Sequence, residues 1–172
     1  MTTHLTIRNL LILSLIGLVF ASTAEVNALS MTPYSLDELW SESHLIVKGE
    51  VIKTRAYRSG GRIFTEVTLT SSGTPVKGEV TSPDHRVRFS LPGGQFEGIT
   101  QHVPGVPTLY VGEMLILFLR CTTPNACAPV GYGQGIWRAL KGQWAPLTHG
   151  VHWVGGQPSL TSESLERLTT PR

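Results

Sequence analysis

The sequence is short of cysteine, of charge, of long apolar runs and of catalytic signatures, and each shortage narrows what the chain can be. Cys121 and Cys127 are its only cysteines, which leaves at most one internal disulfide. Charged residues make up 15% and the formal net charge is +2, too little to imply a nucleic-acid partner. The longest apolar run, Leu10 to Ala21, falls short of the roughly 20 residues that cross a bilayer comfortably. Neither an HExxH metal motif nor a GxSxG nucleophile elbow occurs, and no repeat is evident.

What is present begins with an export-type amino terminus. Arg8 precedes the apolar run, and small residues follow at Ser22 and Ala24 or at Val26 and Ala28. That arrangement predicts a signal peptide over residues 1–28, cleaved after Ala24 or Ala28, with a single domain over 29–172. No cysteine lies near the cleavage region, which argues against a lipoprotein anchor. The expected location is secreted or periplasmic, with membrane contact only through the signal peptide before cleavage. In such a compartment Cys121 and Cys127 are expected to form a disulfide. They flank Pro124 and Asn125, both turn formers, so the bridge pins a hairpin loop. A redox pair fits less well, because five residues separate the two and a strand precedes them.

Eighteen glycines and eleven prolines favour many turns and an all-β chain over a helical bundle. Residues 34–43, YSLDELWSES, predict a short helix in which Ser35 and Glu38 form a capping box and Leu36, Leu39 and Trp40 share a face. The next strand turns Leu45, Val47 and Val51 one way and Lys48 and Glu50 the other. Gly49 is its bulge or close-approach point. A turn at 59–61 leads to RIFTEVTLTSS, then a connector, then HRVRFSLP with Val87, Phe89 and Leu91 on one side. Residues 113–120, EMLILFLR, predict a central strand covered on both faces. APVGYGQGIWRAL predicts one glycine-broken, bent strand, and one or two short strands follow. SLTSESLERL predicts a C-terminal helix capped by Thr161 or Ser162. Five or six curved strands with a short helix at each end suggest a small barrel, with a flat sandwich as runner-up.

The run SLDELWSESHLIVKGEVI, RIFTEVTL, VKGEV, LPGGQFEG, VPGVPTLYVGEMLILFL and GQGIWRAL resembles a group of exported bacterial β-proteins. Related segments also precede matrixin-type metalloprotease domains. More distantly, the order is similar to the netrin-like barrel of metalloproteinase inhibitors, which implies an OB-type fold. Those inhibitors reach a protease zinc through an amino-terminal Cys. A mature chain beginning near Glu25 or Leu29 has none, so inhibition by that route is not expected.

The candidate site lies in the long Gly/Pro-rich crossing at 91–113. Gly93, Gly94 and Gly98 permit positive φ, and with Gln95 and Glu97 their amides could line an anion- or peptide-binding concavity. The plainer reading is a structural cover, with Val103, Val106, Leu109 and Tyr110 plugging the end of the sheet and Pro104 and Pro107 stiffening it. The two are compatible, since a rigid cover also presents a surface.

The remaining candidates favour structural explanations. His149 and His152 could join His102 or His85 around a metal, but three-residue spacing on a strand separates the rings, and no metal or other cofactor is expected. Ser90 and His85 fall on opposite faces of one strand, and nothing brings Glu97 to Glu113. Arg55, Arg58 and Arg62, with Tyr57 and Phe64 between, could bind single-stranded nucleic acid through charge and stacking. The export signal and near-neutral charge favour a solvated hairpin tip instead, with an anionic cell-surface polymer as a minor partner. Trp137, Trp144 and Trp153 suit core packing. The expected function is therefore a binding or accessory module without catalytic activity, for an exported protein or protease. The rival is a small exported hydrolase using His102 or His149.

Overall fold

The computed structural model describes residues 32–123, 126–148 and the backbone of 160–161. The expected signal peptide and its expected cleavage site, His149, His152, Trp153 and the helix expected beyond Ser162 lie outside the described residues. Thr161 itself is in a strand. No helix among the described residues is long and apolar enough to cross a membrane.

Helix α1, Leu36–Glu42, starts where the capping box places it. The Ser35 hydroxyl accepts the Glu38 amide at 3.2 Å, and the Ser35 amide donates to the Glu38 carboxylate at 2.7 Å. The Ser35 amide and, to a lesser extent, the Ser35 hydroxyl, which donates to the same carboxylate at 2.8 Å, hold the Glu38 carboxyl below its ordinary range. Leu39 is buried, with Leu36 and Trp40 half-buried beside it, so the predicted face docks on the sheet.

The described residues are mostly strand, so the all-β class holds. The strands are β1 Leu45–Ser59, β2 Arg62–Ser71, β3 Arg86–Pro92, β4 Gly94–Phe96 and β5 Ile99–Gln101. Then come β6 Met114–Thr123, β7 Ala126–Pro129, β8 Ile136–Leu140, β9 Gln143–Pro146 and β10 Leu160–Thr161. Eight form one sheet in the order β1-β2-β3-β7-β6-β8-β9-β10, and β1 also pairs with β6. Gly60 and Gly61, at φ of +55° and +77°, make the two-residue turn between β1 and β2, a geometry that glycine adopts without strain.

The expected barrel of five or six strands needs correction on two points. The sheet is not a closed barrel: β3 and β7 meet in parallel through one residue pair, Phe89 with Cys127, and the sheet continues past β6 through β8, β9 and β10. β7 has four residues and ends at Pro129, which lacks an N–H, so it is too short to extend along β3. The strand count is also higher: among the described residues the main sheet alone has eight strands, several of them very short, and the crossing adds β4 and β5. In addition, the expected bent strand is interrupted: a 3-10 turn at Tyr132–Gly135 separates β7 from β8.

Two apolar layers sandwich the sheet's centre. The inner one contains Leu45, Val47, Val51, Val67, Leu69, Val87, Phe89 and Leu91, as the alternation predicts. β6 sends Leu115, Leu117 and Leu119 to it and Ile116 and Phe118 to the outer layer, where Leu39, Trp137 and Trp144 lie. Each such burial contributes about 1.5–3 kcal/mol before entropy is counted. Gly49 is a close-approach point, since a Cβ there would clash with the Thr70 carbonyl and the Leu69 side chain. The ladder's register shift lies further on, between Val51 and Lys53.

Cys121 and Cys127 form the expected disulfide, across the β6–β7 ladder with their Cα atoms 4.0 Å apart. A bridge closing so short a loop constrains the unfolded chain by roughly 2 kcal/mol. Cys121→Ala/Cys127→Ala should lower the unfolding free energy by about that amount. Without reductant, a thiol reagent should label neither cysteine of the native chain; ready labelling of both would contradict the bridge.

Candidate functional site

The crossing is more ordered than a loop of its composition suggests. Gly94, Gln95 and Phe96 of β4 pair with Gln101, Thr100 and Ile99 of β5. Glu97 and Gly98 turn the hairpin at φ of +49° and +78°. Three contacts clamp it to the sheet. The Gly93 amide donates to the Ile63 carbonyl at 2.7 Å, and the Ile63 amide donates to Gln101 Oε1 at 2.9 Å. The Thr65 hydroxyl donates to the Gly93 carbonyl at 2.9 Å.

The five candidate residues are thus brought together on one hairpin, in unequal states. Gly93 is buried with its amide already engaged, and Gly94 lies so close to Thr65 Oγ1 that a side chain would clash there. Gln95, Glu97 and Gly98 are exposed at the tip. Further along, Leu109 is buried and Val106 half-buried against the inner core. Tyr110 does not plug the sheet; it is 63% exposed, as is Val111, and Ile99 is 55% exposed.

Between the crossing and the β1–β2 ladder lies a cleft of about 470 Å³. Thr54, Thr65, Thr100, Gln101 and Thr108 supply uncharged polar groups, and Val67, Leu91, Val103 and Val106 supply apolar surface. Among the described residues, no carboxylate, lysine or arginine lines it, and His102 is the one histidine that does. Among the described residues, no three His, Cys, Asp or Glu side chains gather as a metal-binding group. His85 stands at a turn, exposed and apart from that cleft.

Glu113 and Glu97 remain apart: Glu97 stays at the exposed hairpin tip, whereas Glu113 closes the far end of the crossing. Its carboxylate accepts the Tyr110 amide at 3.1 Å and the Arg138 guanidinium at 2.7 Å. Beside it, Gly112 at φ of +90° donates to the Val51 carbonyl at 2.8 Å. The Gly112–Glu113 step therefore fastens the crossing to β1 and β8. Its visible sequence signal is the glycine–acid pair immediately before the apolar run of β6.

Gln134 was not legible as important. It is buried in the 3-10 turn, where Oε1 accepts the Tyr34 amide at 2.7 Å and Nε2 donates to the Thr32 carbonyl at 3.3 Å. His44 was also missed. Its Nδ1 lies 2.8 Å from the Cys121 carbonyl oxygen and 3.1 Å from the Cys121 amide nitrogen, beside a second groove of about 550 Å³ along the disulfide. Trp137 and Trp144 are core residues, as expected.

The hairpin-tip arginines do not form one cluster. Arg58 opposes Ile63, on the side facing the inner core, whereas Arg55 opposes Glu66 and pairs with it at 3.5 Å on the other side. Tyr57 and Phe64 stack with ring centres 5.7 Å apart. No family model, curated protein or solved structure matches this chain.

Proposed function

We propose that the protein is an exported binding or accessory module that presents the crossing to a protein partner in an oxidising compartment, with an exported protease among the candidate partners. The observation that carries this reading is the combination of a clamped crossing and unburied apolar side chains on it. Ile99, Tyr110 and Val111 face solvent on a segment that hydrogen bonds and Pro104 and Pro107 hold rigid. A rigid segment loses little conformational entropy on association, so its exposed apolar surface is available as binding energy. The cleft beneath adds uncharged hydrogen-bonding groups, which suit a neutral extended segment of the partner better than a charged one.

Two further features support the setting. The Cys121–Cys127 disulfide fits a non-reducing compartment, the periplasm or the cell exterior. The pairing order β1-β2-β3-β7-β6, with β1 returning to β6 and β3 parallel to β7, supports an OB-like reading of the sheet.

The test is affinity capture and crosslinking from periplasm and culture medium with the exported protein and two variants. Ile99→Asp/Tyr110→Ala should reduce recovery of the partner about tenfold or more, the scale of losing an interface anchor. Leu140→Asp, at a residue 53% exposed outside the crossing, should leave recovery unchanged. Equal recovery with the crossing variant would overturn the reading.

A further inference from the structure

The register of β1, β2 and β3 assembles a second surface, on the side of the sheet away from the crossing. Thr54, Ala56 and Thr65 face the crossing. Because side chains alternate, their neighbours face outward in cross-strand rows. The first row is Lys53, Thr68 and Arg88, and the second is Arg55, Glu66 and Ser90. The third is Tyr57, Phe64 and Pro92, and the last is Ser59 and Arg62. The irregularity after Val51 places Lys53 outward, opposite Thr68. Four rows of a strand ladder span about 20 Å.

These rows hold four cations against one carboxylate, Glu66, which is already paired with Arg55. Lys53, Arg62 and Arg88 are exposed, and none has an ion-pair partner among the described residues. The row beyond Lys53 carries Glu50 and Arg86, the latter paired with Asp84 at 3.1 Å, so the excess of positive charge is confined to these four rows. Within it, Tyr57 and Phe64 form a half-buried, stacked aromatic pair, and the Tyr57 hydroxyl lies 3.3 Å from the Ser90 hydroxyl.

We propose that this outer face binds an extended polysaccharide bearing uronic-acid carboxylates. Guanidinium forks match carboxylates in geometry as well as charge, and the exposed part of the Tyr57–Phe64 stack between them offers apolar contact to a pyranose ring. The elongated shape of the patch suits a linear polymer rather than a compact ion. Single-stranded nucleic acid would use the same residue types, but the disulfide fits a compartment in which carboxylated glycans are the commoner polyanions.

The test compares binding of the native protein to polygalacturonate, neutral dextran and a single-stranded oligothymidylate. Polygalacturonate should bind, should weaken as salt screens the charges, and should bind more tightly than the oligonucleotide, while dextran should not bind. Lys53→Glu/Arg88→Glu alters exposed side chains and should fold normally, but should weaken polygalacturonate binding about tenfold or more. Arg58→Glu, on the crossing side, should change it little. No binding of polygalacturonate, equal binding by Lys53→Glu/Arg88→Glu, or tighter binding of the oligonucleotide would each overturn the proposal.

Discussion

Trp137→Ala is expected to lower the unfolding free energy by about 4 kcal/mol, the largest single-residue effect in this fold. The side chain has no solvent exposure and sits against Phe118, with ring centres 5.7 Å apart and planes tilted by 47°. Its indole Nε1 donates to the Gln134 carbonyl at 2.8 Å. Truncation removes the transfer term and the indole bond together. It also leaves a void among Leu39, Ile46, Ile116, Val130 and Trp144, which belong to separate elements and cannot all close in. Domains of ordinary stability hold about 5–15 kcal/mol in reserve, so this change consumes a large share. Denaturant titration followed by far-ultraviolet circular dichroism would measure it. A loss under about 1 kcal/mol would contradict the packing described.

Gly133→Ala is the second expected large effect, by steric conflict instead of a cavity. A Cβ at this position would clash with the Leu147 carbonyl oxygen and lie 2.8 Å from that of Gly105. Both obstacles are backbone, so no rotamer change relieves them. The Gly133 amide also donates to the Gly105 carbonyl at 3.0 Å, which makes this glycine the point where the crossing rests on the 3-10 turn. Overpacking normally costs about 1–3 kcal/mol, and backbone on two sides places this site at the upper end. Hydrogen exchange should show the Gly133 amide losing protection along with the contact to Gly105. Unchanged melting and unchanged protection would refute the close approach. Gly142→Ala has open space around the missing Cβ, so its cost is confined to the strain of φ +80°.

The parts of this fold that were legible in the sequence are those set by local chemistry. Ser35 and Glu38 announce the start of α1, because the capping box is a short-range motif. The alternation of Leu45, Val47 and Val51 fixes which side of β1 is buried, and the apolar run through Leu115–Leu119 marks the strand covered on both faces. The two cysteines were legible because turn-forming residues, Pro124 and Asn125, stand between them in the sequence.

What was not legible depends on distant partners or on elements too short to carry a pattern. Three-residue strands such as β4 and β5 leave no alternation to read, although Glu97–Gly98 is a usable hairpin-turn signal. The separation of Arg58 from Arg55 and Arg62 onto opposite sides follows from the strand register, and adjacency in sequence conceals it. The contacts of Gln134 span 100 and 102 residues, so nothing local reveals them. The open seam between β3 and β7 likewise arises from the shortness of β7 rather than from a breaker visible in β3.

That seam has a mechanical consequence. Phe89 and Cys127 make the one ladder contact across it, while the disulfide fastens β7 to β6. If the sheet breathes, β6 and β7 must travel together as a single plate, and the gap opens along β3. Phe89, buried at rest, is the side chain such an excursion would wet first. The cysteine pair thus adds a covalent tie to the β6–β7 ladder and leaves the β3 side of the seam without one.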